Sequence, residues 1–586
     1  MLINVYGKGI SGCKMVRKIW KFKNESVKPE TVKNAAEQYG LPPLIANVML
    51  NRDIAPQDFE TFLAKSKRNI KNPMTMLDAE KAAERIITAL RNKEKIVIYG
   101  DYDVDGITST ALLYDFLKSL GADVIFYIPD RFDEGYGINI MAVNKFIKNG
   151  IKLLITVDCG ITAIGEVEFA QLQGLDVIIT DHHTCKERIP SAACAVVNPK
   201  REDDESEFKS LAGVGVTFKL VLALAIKLGM NTGECFDRYC DLAAIGTIAD
   251  VVPLTDENRI IVDKGLKQLQ NPKRPGIKEL FSVAGIADKK ITAASVAFSL
   301  APRMNAAGRL GTAVTAVELL LTTDETKAKS IAEELDRENT LRRETEQEIV
   351  EEAVAMIAAD SEFDKKKVIV LARNGWHTGV IGIVASRLTE MYYKPCILIS
   401  LSGGKGKGSG RSIEGFNLFD ALSDSDSLLT TFGGHSAAAG LGINESELAE
   451  FEQKINRYAD TVLKTEDMVP IVKIDRLLRG VELNIALTKQ LSMLEPYGMG
   501  NEKPVFAVKN AVVESILTVG VDGKHLKIGI EKDGIKAECI GFGLGECASE
   551  IKQGDKIHIA FRLDINAYQG RESLQLVLND IKTAVE

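Results

Sequence analysis

At 586 residues the chain exceeds a single hydrophobic core, so three or four domains are expected, and its 45% hydrophobic and 26% charged residues are ordinary for a soluble globular protein. No apolar run reaches the roughly 18–20 residues that span a bilayer, no apolar segment of signal-peptide kind follows the N-terminal basic residues, and nine cysteines without CxxC spacing fit free thiols in a reducing cytoplasm. A net charge of −8 argues at first against a nucleic-acid partner, but carboxylates loaded with cations reverse that sign locally.

The first 24 residues carry Lys8, Lys14, Arg17, Lys18, Lys21 and Lys23 and no acid, which fits either a solvated tail or a nucleic-acid contact. Small helices are expected up to about residue 75. Strand and helix then alternate. Ile96-Val97-Ile98, Asp123 to Ile128, Leu153 to Val157 and Val177 to Thr180 read as strands, with helices over Thr108–Leu120, Ile138–Asn149 and Ile164–Leu172. Fully apolar strands between amphipathic helices predict a parallel sheet covered on both faces, whose ligands collect at the carboxyl ends of the strands. Asp103, Asp105, Asp158 and Asp181-His182-His183 all fall just past strand ends, on one rim.

From Thr322 to about Ala359 no Pro or Gly interrupts an apolar stripe that starts at Ala328, Ile331, Ala332 and Leu335 and resumes at Ile349, Ala353 and Met356. Thr322 and Glu325 have capping-box spacing, and a helix of about 35 residues would run roughly 50 Å, enough to join two domains. A second α/β unit follows from Val368, with a helix ending near Glu390, a strand at Cys396–Ser400, a glycine-dense loop from Gly403 to Gly410 and the run Gly433 to Gly440. After about Glu466 short alternating strands suit a small barrel of oligonucleotide-binding type. The expected domains are thus a helical segment (1–75), a parallel-sheet domain (76–270), a helical connector (271–360), a second α/β domain (361–465) and a barrel (466–586).

The chemistry concentrates in few residues. Asp103 and Asp105, two apart, can face neighbouring cations, although Asp-x-Asp-Gly also occurs in plain turns. Adjacent histidines at a strand end seldom serve packing, in a chain with only six histidines. Asp250, in Gly246-Thr247-Ile248-Ala249-Asp250, is either a helix-end residue or a further ligand. An oxygen-rich set with one imidazole suits Mn²⁺ or Mg²⁺ better than zinc, and two such ions about 3.5–4 Å apart activate water and stabilise the leaving oxygen in phosphoryl transfer.

Gly100-Asp101-Tyr102-Asp103-Val104-Asp105-Gly106-Ile107-Thr108-Ser109, Asp181-His182-His183 and Gly246 to Asp250 resemble motifs of the DHH phosphoesterase superfamily, and Gly433 to Gly440 resembles its accessory DHHA1 signature. Tyr127-Ile128-Pro129, Glu134-Gly135-Tyr136-Gly137, Ala301 to Arg309, Gly408 to Ser412 and Pro496-Tyr497-Gly498-Met499-Gly500-Asn501 narrow the resemblance to the RecJ-type single-strand-specific exonucleases, from about Lys18 to the C-terminus. This resemblance implies that Asp103 and Asp105 each bind one ion, Asp158 bridges both, and His182 and Asp250 complete the second. It implies that His183 contacts the scissile phosphate, and Asp101 orients a ligand or water. Many smaller superfamily members place a metal-binding His four positions before the first carboxylate, where this chain has Tyr99.

Arg303, Asn305 and Arg309 form a polar group suited to phosphate or to structural ion pairs. Lys405, Lys407, Ser409 and Arg411 suit a nucleic-acid backbone or simple flexibility, and His435 suits close approach to a strand or a packed turn. Trp376 and His377 suit base stacking or the core, and Tyr568 and Arg571 a strand-binding hairpin or an ordinary turn. The resemblance further implies a monomeric 5′-to-3′ exonuclease releasing 5′-mononucleotides from single-stranded DNA in repair and recombination, with a cleft between the DHH and DHHA1 domains. Its implied partners include a single-strand-binding protein and a helicase. The rival readings are a small-substrate phosphoesterase, which has no need of the barrel, and a catalytically silent DNA-binding scaffold.

Overall fold

The computed structural model describes residues 18–23, 27–130, 134–135, 137–568 and 570–584, without the side chains of Leu310, Ala567 and Tyr568. Lys8, Lys14, Arg17, Tyr136 and the Tyr568 side chain therefore lie outside the described residues. Two compact units result: Gln57–Thr340 with Ser492–Lys503, and a second built from residues up to Pro56, Leu341–Leu491 and Pro504–Glu586.

The first unit is organised by a five-stranded sheet in the order Val124–Tyr127, Ile96–Tyr99, Leu153–Val157, Asp176–Thr180, Ala195–Val197, with every pairing parallel. Ile96–Tyr99 and Leu153–Val157 are buried at every position, as strands covered on both faces must be. One face packs on the helices Ala79–Asn92, Val104–Ser119 and Gly213–Lys227, the other on Ile140–Lys148 and Ile164–Leu172. The connecting helix, Glu325–Ala359, has 35 residues. Its N-terminus is capped by Asp324, whose Oδ1 accepts from Thr326 N and Lys327 N at 2.8 and 3.0 Å, instead of by the expected Thr322. The Thr322 hydroxyl accepts from Asp324 N, so the threonine organises the cap from one turn outside it. Ala328, Ile331, Ala332 and Leu335 join the core of the first unit; Ile349, Val350, Ala353, Val354 and Ile357 join that of the second, so the polar middle of the stripe is where the two cores part.

In the second unit a mixed sheet runs in the order Leu429–His435, Ala438–Asn444, Lys405–Arg411, Cys396–Ser402, Ile369–Asn374. The expected glycine-dense loop is thus largely a central strand, Lys405–Arg411. Its Gly406, Gly408 and Gly410 face the core, where a Cβ would press into Ile399, Leu441 and Leu418, so glycine serves packing here and not flexibility. Lys405, Lys407, Ser409 and Arg411 alternate onto the opposite face.

The C-terminal strands Phe506–Val519, His525–Lys532, Ile535–Gly541, Arg571–Thr583 and Lys556–Tyr568 close into a five-stranded barrel through pairing of the first with the last. The N-terminal segment, expected to be helical, also supplies a strand. Ile19–Phe22 pairs in parallel with Ile471–Ile474, and Trp20 Nε1 donates to Asp580 Oδ2 at 2.7 Å. Lys18 and Lys23 accordingly bond to Asn579 O and Asp475 in place of forming a free tail.

Candidate metal centre

Each strand end delivers its residue by a different local device. After Ile96–Tyr99 the chain turns into the helix Val104–Ser119, whose N-cap is Asp103: its Oδ1 accepts from Asp105 N and Gly106 N at 3.0 and 3.1 Å. The same motif that supplies a carboxylate therefore starts the helix. Asp105 is buried and held at both oxygens, Oδ2 by Gly213 N at 2.6 Å and Oδ1 by Val214 N at 2.7 Å. These two amides open the helix Gly213–Lys227, where a helix N-terminus favours an anion. Asp158, next after Leu153–Val157, adopts φ 61, a left-handed conformation that Asp tolerates, and a Cβ at Gly213 would collide with its carboxylate. Asp250 ends the helix Thr232–Ala249. A Cβ at Gly246, one turn earlier, would lie 2.9 Å from Asp105 Oδ1, so that glycine leaves room for the cluster.

These residues meet in three overlapping groups whose ligand atoms lie within 4.8 Å of one another: Asp101 with Asp103 and Asp158, Asp105 with His182 and Asp250, and Asp158 with His182 and His183. Asp158 belongs to two of them. His182 Nε2 lies 3.2 Å from Asp158 Oδ1 and 3.9 Å from Asp105 Oδ2, and its Nδ1 lies 3.6 Å from Asp250 Oδ2. Asp101 lies in the group with Asp103 and Asp158, a position compatible with ligation as well as with the orienting place expected for it. Tyr99 takes no part: its ring is buried against Tyr127 and Phe146 and its hydroxyl donates to Gly137 O at 2.8 Å.

The electrostatics show what such a cluster can hold. Burial, followed by the charges of neighbouring carboxylates, drives Asp105 and Asp158 well above the usual carboxylate range, and Asp250 rises to about 7 from burial and from Asp103. Asp158 Oδ1 and Asp250 Oδ2 are buried with no hydrogen-bond partner among the described residues. Burial, then the His183 charge, lowers His182 to about 3, leaving a neutral imidazole able to ligate. Hard oxygen donors, a neutral nitrogen and buried oxygens lacking a partner fit divalent cations of the Mn²⁺ or Mg²⁺ type.

His183 differs from its neighbour. Asp181 Oδ1 accepts from His182 N, His183 N and His183 Nδ1 at 2.7, 3.0 and 2.7 Å, and its Oδ2 accepts from Ile161 N at 2.9 Å. Burial works to lower the His183 pKa, but the Asp181 hydrogen bond and charge outweigh it and hold it above the usual value. Asp181 is a brace that the sequence reading passed over, as is buried Asn198, whose Nδ2 donates to His183 O at 3.0 Å. Asp181 was signalled by its place in the triplet; Asn198 had no local signal.

Of the other expected site residues, Asn305 Oδ1 accepts from Val104 N at 3.2 Å, so it supports the Asp103 turn. Arg303 is engaged by Asp336 at 2.8 Å and by Ser299 O at 2.6 Å, the structural alternative among its expected roles, and Arg309 lies on the same helix, Ala301–Leu310. Ser409, Arg411, His377, Trp376, His435, Tyr568 and Arg571 are in the second unit. Trp376 is a correction: it is 4% exposed, packs under the connecting helix and donates Nε1 to Glu352 at 2.7 Å, so its faces belong to the core and are closed to bases. His377 is half-buried and its Nδ1 accepts from Gly379 N at 3.1 Å, just ahead of the helix Ile381–Tyr392. Across the sheet Arg411, Ala438 and His435 stand in one row and Ser409, Gly440 and Gly433 in the next, which leaves a low face of bare backbone between polar side chains. Arg571 is exposed at the barrel hairpin, opposite Tyr568.

Residues 95–247 match the DHH family, N-terminal domain; residues 365–461 match the DHHA1 domain, and residues 474–580 the RecJ OB domain. Fold and site together define a metal-dependent phosphoesterase of the DHH class. The chain is 40% identical over 555 residues to the single-stranded-DNA-specific exonuclease RecJ of Bacillus subtilis, covering 94% of this chain and 69% of that protein. It is 35% identical to that of Escherichia coli over 92% of this chain and 96% of that protein. The crystal structure of RecJ in complex with Mn²⁺ from Thermus thermophilus superposes with a TM-score of 0.80 at 31% identity, covering 97% of this chain and 79% of that one. The chain belongs to the RecJ family.

Proposed function

We propose that this protein is a single-stranded-DNA-specific exonuclease that works from the 5′ end and releases 5′-mononucleotides in DNA repair and recombination, in the cytoplasm. The observation that carries this reading is the convergence of Asp103, Asp105, Asp158, His182 and Asp250 on one rim, with buried carboxylate oxygens left without partners, in a chain whose relatives are named for this activity. Asp103 and Asp158, with Asp101, would hold one ion; Asp105, His182, Asp250 and the shared Asp158 would hold a second. Bound there, Mn²⁺ or Mg²⁺ supplies activation of water and stabilisation of charge at the scissile phosphate.

The protein's own groups do the rest. The two amides on Asp105 and the helix cap made by Asp103 fix the carboxylates before substrate arrives. Asp181 fixes the His183 ring in rotation and raises its pKa above the usual value, which favours the protonated form, so that the ring, 4.5 Å from the His182 ring centre to centre, can donate to a phosphoryl oxygen as negative charge grows on it. In the second unit Arg411, Ser409 and His435 border the low glycine face, where a strand's backbone can lie close to the sheet. Arg571 at the barrel hairpin adds a cation for the trailing strand.

Single-stranded DNA labelled at either end, incubated with Mn²⁺ or Mg²⁺ beside duplex and RNA controls, tests this directly. Mononucleotides should appear from the 5′ label first and only from the single strand. Internal fragments, or release from the 3′ end alone, would contradict it.

A further inference from the structure

The motif Pro496 to Asn501 has no place in the cluster, yet Ser492–Lys503 belongs to the metal-bearing unit while the chain on either side of it belongs to the other. Its contacts lead to Asp250. That residue closes its helix through Asp250 N to Gly246 O at 2.9 Å, and the next residue, Val251, has φ 61, a conformation that a β-branched residue adopts only when its surroundings impose it. Three residues on, Leu254 N donates to Met499 O at 2.7 Å. The Leu254 side chain is buried against Gly498, where a Cβ would lie 2.5 Å from Leu254 Cδ1, and Gly500 lies against Pro253.

The loop is in turn rigidly anchored. Asn501, fully buried, donates to Leu494 O and Pro496 O at 2.8 and 2.7 Å. Arg259 is 2% exposed, stacks 4.0 Å over the Phe62 ring, and donates to Leu494 O at 3.0 Å, Glu495 O at 2.8 Å and Phe62 O at 3.0 Å. Lys65 Nζ adds a bond to Glu495 O at 2.7 Å. Cationic donors held on buried carbonyls make a costly arrangement to leave unpaired, so the loop has one position.

We infer that Ser492–Lys503 is a positioning element for the metal centre: it fixes the turn Val251–Leu254 and thereby aims the Asp250 carboxylate at His182 and Asp105. This rests on Asp250 being a ligand in the reading above. Outer-shell partners of this kind are worth about 10–100-fold in metal affinity.

The test is Mn²⁺ binding to the full-length protein without DNA, read from the electron paramagnetic resonance signal of the free ion. Gly498→Ala, at a backbone position without positive φ, pushes directly on Leu254; Asn501→Ser withdraws both amide donors and serves if the first variant does not fold. Each should weaken Mn²⁺ binding by about tenfold, with circular dichroism and single-strand binding unchanged and cleavage recovered at saturating Mn²⁺. Folded variants that bind Mn²⁺ as the parent does overturn the inference. So does an equal loss in Lys290→Ala, which removes only the exposed ion pair to Glu495. Asp250→Asn separates the two levels. Unchanged Mn²⁺ binding there overturns the ligand assignment itself, whereas a loss there and none in Gly498→Ala overturns only the role of the loop.

Discussion

The acidic rim of the first unit and the glycine face of the second meet different physical demands. At the rim, Asp101, Asp105, Asp158, Asp181 and His182 are buried, and several carboxylates are held by more than one donor: Asp105 by two amides, Asp181 by four donors, Asp103 as a helix cap. On the glycine face, His435 is exposed and Ser409 and Arg411 are half-buried, and the backbone between them is bare. Bond breaking requires charges fixed before the substrate arrives, whereas holding a strand's backbone requires only low relief and a few cations. Substitutions in the first region should therefore act on the chemical step, and those in the second on binding.

The largest effect is expected at Asp158. Asp158→Ala should lower Mn²⁺-dependent cleavage by about 10³-fold or more, since it removes a ligand from both groups, while single-strand affinity stays within about twofold. Cleavage within tenfold of the parent would sink the shared-ligand assignment. His183→Ala comes next, with kcat reduced about 10²-fold and Mn²⁺ binding retained, if His183 acts on the phosphate as proposed above and not as a ligand. Loss of Mn²⁺ binding in that variant would move His183 into the ligand set, where one of the three groups also permits it.

The pH dependence of metal binding sharpens the same contrast. Asp250, raised to about 7, keeps a proton that Mn²⁺ must displace, and the raised Asp105 and Asp158 add to it, so apparent Mn²⁺ affinity should fall by at least about tenfold for each pH unit below 7. The sign for stability follows from the same shift. The folded metal-free protein holds a proton that the unfolded chain releases near the ordinary value of 3.8, so this group's contribution is lost as pH rises from about 4 through 7. Thermal melting with and without Mn²⁺ across that range checks it: a loss toward pH 7 that Mn²⁺ does not reverse would place the proton elsewhere.

What could be read from the sequence was whatever is local. The alternation of apolar strands and helices announced the parallel sheet, and most of the candidate ligands were visible because they lie just past a strand end, whereas Asp250 ends a helix. The pattern Asp101-Tyr102-Asp103 does not separate a ligand from an orienting residue at Asp101, because the turn brings it into one group with Asp103 and Asp158. The glycine content of Lys405–Arg411 suggests a loop, whereas the spacing of its glycines by two, against Ile399, Leu441 and Leu418, is the signature of a strand. Invisible altogether were features made by distant chain: the Gly213 and Val214 amides on Asp105, the strand Ile19–Phe22 on Ile471–Ile474, and the return of Ser492–Lys503 to the metal unit. The last has a practical consequence. Deleting everything after Glu466 to ask what the barrel does would also strip the support of Asp250, so a barrel deletion must keep that loop before its loss of activity says anything about strands.

The smaller effects test the second region. Arg411→Ala should weaken single-strand binding by about tenfold and lower the steepness of its salt dependence by about one phosphate's worth, with Mn²⁺ affinity unchanged. Trp376 marks the limit. A base-stacking tryptophan would contribute about 1–3 kcal/mol to strand affinity, whereas a buried one contributes to folding. With its indole under the connecting helix and its Nε1 on Glu352, Trp376→Leu should lower stability by about 2–4 kcal/mol through the cavity and the lost bond, and leave strand affinity in the folded protein unchanged. Denaturant unfolding beside a strand-binding titration distinguishes the outcomes. Weakened binding with unchanged stability would return Trp376 to the nucleic-acid surface and erase the contrast between a core aromatic and the polar glycine face.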